Sequence, residues 1–367
     1  MKYDFLIVGA GFAGTVMAER IASLLNKKVL IVEKRNHIGG NAYDEYDEHG
    51  ILIHKYGPHI FHTKSKEVFE YLSNFTEWRF YEHKVLAKLN NELYPVPINR
   101  ITINKLYNKN FTTDVEVAEF YHSIREKRNP ILNSEDIIVN QVGNDLYEKF
   151  FKHYTKKQWD LYPHELSPTV CGRIPVRTNE DCRYFTDKYQ FMPKEGYTKM
   201  FEKMLSHKYI EIVLNTDYKK IINDIKFDKV IYTGPIDNFF DYKFGKLPYR
   251  SIRFEFEKHD VEDYQDAAVV NHVDEDIPFT RVTEYKKLTG QLVKSKTGIS
   301  KEFAQLNGEP YYPVINEHNK LIYKKYMQEA ERIENAFFLG RLAEYQYYNM
   351  DQVVAKCLTF FKELVNV

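Results

Sequence analysis

The sequence predicts an α/β fold: a parallel sheet wound with helices, interrupted by a helical insertion and by an antiparallel sheet insertion. Three observations predict it. The first forty residues place two short apolar runs on either side of a glycine-rich turn and an amphipathic stretch. Residues 114–159 carry apolar side chains at helical spacing, and from Ser251 the period changes to two. At 367 residues the chain is also longer than the ~250 at which single cores tend to divide, so more than one compact unit is expected.

Taken in order, residues 3–8 read as a buried strand, followed at once by Gly9-Ala10-Gly11-Phe12-Ala13-Gly14. Val16, Met17, Ile21, Leu24 and Leu25 then repeat at helical spacing, Asn26-Lys27-Lys28 ends the helix, and Val29-Leu30-Ile31-Val32 is a second strand ending at Glu33. Each part has a physical task. Gly9 permits the tight turn, Gly11 lets backbone approach a pyrophosphate, and Gly14 lets helix and strand pack closely. The helix N-terminus faces the anion and Glu33, nineteen residues beyond Gly14, accepts from a ribose hydroxyl. The unit is a dinucleotide site. The second glycine pair, Gly39-Gly40 in Lys34-Arg35-Asn36-His37-Ile38-Gly39-Gly40-Asn41, resembles the extension of FAD-binding proteins of the glutathione-reductase-like type, which nicotinamide enzymes usually lack. FAD is the expected cofactor.

Further along, helices are expected from Asp114, from Ser134-Glu135-Asp136 and from Asn144-Asp145, with breaks at Pro130 and Pro163. Ile252, Phe254 and Phe256 alternate with Arg253, Glu255 and Glu257, as in a half-buried antiparallel strand. Residues 268–273, 279–285 and 337–340 are expected strands, and 350–364 a closing helix. The expected division is a discontinuous FAD-binding domain of residues 1–84, 193–245 and 316–367, a helical domain of 98–165, and a sheet domain of 85–97, 166–192 and 246–315.

Composition excludes several classes. With 52 Lys+Arg against 52 Asp+Glu the net charge is zero, so nucleic acid is not an expected partner. No apolar run approaches the ~18 residues of a membrane span, and the N-terminus lacks a signal peptide's features. Cys171, Cys182 and Cys357 form neither a disulfide framework nor a zinc spacing. A cytoplasmic protein is expected. No nucleophile elbow, P-loop or paired-cysteine motif is present, which disfavours hydrolase, kinase and disulfide-reductase chemistry.

The aromatic count is high, at 29 Tyr and 25 Phe. Phe150, Phe151, Tyr154 and Trp159 follow helical spacing and suit a core stripe, yet Tyr154-Thr155-Lys156-Lys157-Gln158-Trp159 mixes rings with polar groups as a nucleoside ledge would. Glu309-Pro310-Tyr311-Tyr312-Pro313 and the run from Arg341 through Tyr345-Gln346-Tyr347-Tyr348-Asn349-Met350 pair tyrosines with arginine, donors suited to a diphosphate. His54, His59 and His62 cluster without a carboxylate or cysteine pattern, so a loop beside the cofactor is expected there and no metal site.

The whole chain resembles the prokaryotic UDP-galactopyranose mutase family, on the strings from Glu33 to Tyr43, His54 to Thr63, Tyr154 to Trp159, Arg173 to Arg177, Tyr232 to Asp237, Glu309 to Val314 and Gly340 to Tyr348. The resemblance implies a flavoenzyme that interconverts pyranose and furanose forms of a nucleotide sugar, UDP-galactose first, for cell-surface polysaccharide. It does so by attack of reduced flavin N5 on the anomeric carbon and through a flavin–sugar iminium. It implies Arg173 and Arg281 on the diphosphate with Tyr184, Tyr312 and Tyr347, and His62 and His83 at the sugar. Phe150, Phe151, Tyr154, Thr155, Trp159 and Asn271 would hold the uridine. The FAD would lie on Gly9, Gly11, Ala13, Gly14, Glu33, Lys34, Gly40, Asn41, His59, Ile60, Asp217, Tyr218, Arg341, Tyr348, Asn349 and Met350. A homodimer and reduction by NADH or NADPH go with the family.

The chain departs from the family pattern at Pro58, at His83 where Asn is usual, at Asn349 where Asp is usual, at residues 160–162, and through Arg177 to Arg183. The same chemistry on UDP-N-acetylgalactosamine or dTDP-fucose is therefore an alternative, and an amine-oxidase-like flavin oxidoreductase is the competing enzyme class.

Overall fold

The computed structural model describes residues 2–365. The opening strand, Lys2–Val8, is buried without a break from Phe5 to Val8, as a strand covered on both faces must be. It lies at the centre of a five-stranded parallel sheet ordered Ile210–Val213, Val29–Val32, Lys2–Val8, Lys226–Tyr232, Ala336–Phe338. The helix Phe12–Leu25 buries Val16, Met17 and Ile21 completely in a core shared with the closing helix Met350–Val365. Each such side chain contributes about 1.5–3 kcal/mol. The helix sits this close because residue 14 is glycine: a Cβ there would lie 1.9 Å from the Gly9 carbonyl oxygen.

A second sheet of seven strands runs in the order Tyr312–Pro313, Tyr249–His259, Thr297–Gln305, Arg281–Glu284, Val269–His272, Val85–Leu89, Glu92–Val96. Its pairings are antiparallel with one correction to expectation: Val85–Leu89 runs parallel to Val269–His272. The long excursion between those two strands leaves their relative direction free, whereas a tight turn would have fixed it. Pro95 lies on an edge strand, where a missing N–H does no harm.

The expected strand over 279–285 is shorter. Tyr285 has no exposure and opens a helix, Tyr285–Thr289. The expected loop over 54–63 contains strand residues instead: Leu52–His54 pairs with Asp44–Tyr46, and Phe61–Thr63 pairs with Tyr189–Pro193. Both are three-residue strands whose signal lies in distant partners.

The helical insertion includes Asp114–Ile124, opened by a Thr113/Glu116 capping box, and Ser134–Leu146, capped by Asn133. The restart expected at Asn144 is a kink made by the residue before it. Gly143 takes φ +79, ψ 171, and a Cβ there would lie 2.2 Å from the Ile124 carbonyl oxygen. A wide turn, Tyr147–Lys152, leads into His153–Trp159.

Candidate active site

A cleft of about 1160 Å³ runs from the ends of the parallel strands, past the seven-stranded sheet, to the helix His153–Trp159. Single-ligand pockets hold roughly 300–1,000 Å³, so this one has room for two ligands side by side. Its floor is the carboxyl edge of the parallel sheet, where α/β proteins bind ligands. Gly9, at φ +102, leaves no space for a side chain, because a Cβ would meet Thr233 Oγ1 at 2.2 Å. Gly40 faces Gly11 across the cleft so closely that a Cβ on Gly40 would lie 2.8 Å from the Gly11 Cα. The two glycine segments form a cradle of bare backbone. Glu33 is buried beside it, its two oxygens accepting from Ala10 N and Arg35 N at 2.9 Å each, with lone pairs left for a ribose.

The side of the cleft is closed by Lys34, whose Nζ meets Glu309 at 2.7 Å, and by Arg35, stacked 4.2 Å from the Tyr56 ring centroid. Asn41 accepts from Arg35. Asp217 caps the short helix that begins at Tyr218.

At the other end, four side chains form a layered stack. Arg173 lies 4.5 Å from the centroid of Tyr347, Tyr347 stacks on Tyr312 at 5.3 Å, and Arg341 lies 5.4 Å from Tyr312. Burial opposes the Arg173 charge, but the phenols of Tyr347 and Tyr184 outweigh it and raise the guanidinium pKa. Burial likewise pushes Tyr347 up, and Arg173, Arg341 and Arg281 together overcome it, so this phenol is held below its ordinary value. Tyr312 goes the other way, to about 12, through burial and its neighbour Tyr347.

Three neighbouring strands of the second sheet present one row into the cleft. Asn271 is paired with Arg281, and Arg281 with Glu302. Arg281 Nε is 3.3 Å from Glu302 Oε2 without hydrogen-bond alignment, and Glu302 Oε1 is buried with no partner. Burial raises the Glu302 pKa against the pull of Arg281. Tyr154 donates to Asn271 Oδ1 at 3.4 Å.

His62 lies stacked on Phe185 at 3.6 Å, with Nδ1 2.9 Å from Asp187 Oδ2. The carboxylate makes Nδ1 the donor of that contact and fixes the orientation of the ring. His83 is fully buried between Tyr81, 3.1 Å from its Nδ1, and the rings of Tyr184 and Phe185; burial first, and Arg281 second, push it down to about 3, so it is neutral. His54 accepts from His59 N, and His59 Nδ1 lies 2.8 Å from the Gly57 carbonyl, so these two rings are engaged by backbone.

The cleft wall brings together Gly9, Gly11, Ala13, Glu33, Lys34, Gly40, Asn41, His59, Ile60, His62, His83, Tyr154, Arg173 and Tyr184. Asp217, Tyr218, Asn271, Arg281, Tyr312, Arg341, Tyr347, Tyr348, Asn349 and Met350 complete it. Five expected residues are absent from it. Gly14 serves helix–strand packing. Phe150, Phe151, Thr155 and Trp159 are buried; the two phenylalanines belong to the core of the helical part, and Thr155 faces Cys171 Sγ. On that helix it is Tyr154 and Gln158 that reach the cleft. The sequence reading missed Gln158, Phe185, Asp187 and Glu302. Asp187 lies 125 positions from its histidine, but Glu302 had a signal: it shares strand parity with buried Ser300, so it faces inward.

Known proteins carry the same pattern. The family described as UDP-galactopyranose mutase matches residues 149–347, and that described as an NAD(P)-binding Rossmann-like domain matches residues 7–75. A dTDP-fucopyranose mutase of Escherichia coli is 38% identical over 366 residues, covering 96% of each chain. A probable UDP-galactopyranose mutase of Klebsiella pneumoniae is 37% identical over 99% of this chain and 95% of its own. The chain belongs to the UDP-galactopyranose mutase family. It is accordingly an isomerase of the intramolecular transferase class. In fold it is similar to a reduced UDP-galactopyranose mutase, with a TM-score of 0.79 at 16% identity over 99% of this chain and 96% of that one. Putrescine oxidase shares the architecture more distantly, at a TM-score of 0.58 and 11% identity over the full length of both chains. The fold is thus shared with an oxidase as well as with a mutase.

Proposed function

We propose that this protein interconverts the six- and five-membered-ring forms of a nucleotide sugar, with UDP-galactose as substrate and reduced FAD as cofactor. The observation that carries the reading is the pair of guanidiniums, Arg173 and Arg281, that line the cleft among the phenols of Tyr154, Tyr184, Tyr312 and Tyr347 beside a dinucleotide cradle. An amine substrate is itself a cation and gains nothing from two guanidiniums lining its site. A diphosphate does.

The residues fit FAD. The bare-backbone approach of Gly9, Gly11 and Gly40 suits a pyrophosphate, with Ala13 at the helix start. Glu33 would take the ribose, with Lys34, Asp217 and Tyr218 toward the adenine. Arg341 and the Tyr348-Asn349-Met350 backbone, with Asn41, His59 and Ile60, would hold the remainder. When bound and reduced, the flavin supplies the nucleophile for the anomeric carbon, so the isomerisation needs no net oxidation. The chain's own residues bind, orient and exclude water. Arg173 and Arg281 hold the diphosphate as it departs and keep it for recapture, and the surrounding phenols donate to its oxygens. His62, oriented by Asp187, hydrogen-bonds a sugar hydroxyl through Nε2. Uridine lies against Tyr154, with Asn271 and Gln158 beside it. The FAD unit is assigned to residues 1–84, 193–245 and 316–367, the assembly to a homodimer, and the reductant to NADH or NADPH.

The test is anaerobic chromatography of UDP-galactofuranose incubated with reduced, FAD-loaded protein beside an oxidised control. Conversion to the pyranose by the reduced sample alone is expected; no conversion by it overturns the UDP-galactose assignment. A second substrate, dTDP-fucose, has its own support in the 38% identical dTDP-fucopyranose mutase and in His83 occupying the sugar end of the cleft. His83→Asn is expected to shift the ratio of kcat/KM values toward UDP-galactose, and an unchanged ratio removes His83 as determinant. Bleaching of the visible flavin band by NADH or NADPH checks the reductant, and light scattering the dimer.

A further inference from the structure

Lys157 lies on the helix His153–Trp159, one turn from Tyr154, and its side chain does not reach the cleft. Its Nζ meets four main-chain carbonyls of one loop: His272 at 2.6 Å, Asp274 at 2.8 Å, Ile277 at 3.0 Å and Phe279 at 3.4 Å. An ammonium has three protons, and the three shortest contacts use them all. The loop joins the strands Val269–His272 and Arg281–Glu284, and its ladder ends at the bond from His272 N to the Thr280 carbonyl. Beyond that rung no strand pairing fixes residues 274–279. Their carbonyls turn inward on one cation instead.

The two strands that this loop joins carry Asn271 and Arg281 opposite each other. The same helix also supplies Tyr154, hydrogen-bonded to Asn271. Helix and hairpin are thus joined at two points, one at the cleft and one behind it. We propose that Lys157 is a positioning residue for the diphosphate site, its ammonium templating the 273–280 loop so that Arg281 and Asn271 enter the cleft at a fixed register. The inference rests on the nucleotide-sugar reading for its ligand, but not on turnover.

The geometry needs a compact donor at a point. A guanidinium keeps the charge but spreads its donors across a plane, so it cannot converge on three carbonyls from one centre. A thioether removes the donors altogether. Of the other charges close by, His153 faces Glu275 and Lys156 faces Asp160, while Asp274 and Asp276 of the loop act on the Lys157 ammonium itself.

The experiment uses FAD-loaded protein with UDP and, separately, dTDP as probes, measured by calorimetry, together with amide hydrogen exchange over residues 272–281. Lys157→Met is expected to weaken binding of the better nucleotide about tenfold and to speed exchange across the loop, with FAD content unchanged. Lys157→Arg is expected to lose at least threefold, since charge alone does not suffice. Binding within twofold of wild type in Lys157→Met, or loop exchange that does not change, overturns the proposal. If Lys157→Met fails to fold, Lys157→Arg decides it by the same twofold limit. A wild type that binds the nucleotide yet converts no sugar counts against the mutase reading alone. KM and kcat add a further check, because a change confined to general stability would lower FAD content and kcat together and leave KM unmoved.

Discussion

Tyr312 and Tyr347 are stacked 5.3 Å apart yet are shifted in opposite directions, Tyr312 to about 12 and Tyr347 below its ordinary value. Both are buried. The difference is Arg173, which lies on the Tyr347 face of the stack and favours its phenolate. If the protonated phenol donates to the diphosphate, activity falls as pH rises through a pKa under 10, and Tyr347→Phe loses that limb along with part of its affinity. A pH profile of kcat/KM for both proteins checks this. His54 offers a stability test of known sign. Burial lowers its pKa from 6.5 to about 3, so between those values the unfolded chain takes up a proton that the folded one refuses. Its contribution is present above pH 6.5 and is lost as pH falls toward 3. His54→Asn, which keeps an acceptor for His59 N, is expected to flatten the stability slope in that window by about 1.4 kcal/mol per pH unit. Urea melts at several pH values measure it.

At the scale of elements, the opening strand–turn–helix was legible because every requirement is local: glycine spacing, helical period and a terminal acid lie within 33 residues. Gly14→Ala tests that logic. The added Cβ meets the Gly9 carbonyl at 1.9 Å, so helix and strand must part, at a cost of about 1–3 kcal/mol and with the phosphate cradle displaced. Purified Gly14→Ala is expected to carry a small fraction of the wild-type flavin per chain, read from its visible absorbance. The row Asn271, Arg281, Glu302 was only half legible. Strands were expected over 268–273 and 279–285 but none around Glu302, and which strands lie side by side, and in what register, is a property of pairings that span the sheet. The aromatic run at 150–159 misled for a related reason. Helical spacing says that residues share a face, and only packing decides that Phe150 and Phe151 turn to the core while Tyr154 and Gln158 turn to the cleft.

At the scale of the whole molecule, the dinucleotide cradle draws on segments near residues 9–41, 217–218 and 340–350, which meet only in the folded chain. A ligand that spans them binds the native state and not the unfolded one. Removing FAD is therefore expected to destabilise the protein, by about 4 kcal/mol relative to FAD at a thousand times its Kd, and adding it back restores the loss. Thermal melts of stripped and reloaded protein report it. The sequence by itself determined the class of the fold and the family, because these are written in contiguous strings whose meaning depends on neighbours a few residues away. Only the tertiary structure decided that Asp187 orients His62 across 125 positions, that Glu302 stands beside Arg281, and that Lys157 gathers the carbonyls of a distant loop. Those arrangements depend on strand register and on which buried polar groups must find partners once water is excluded, and neither is set until the chain has closed on itself.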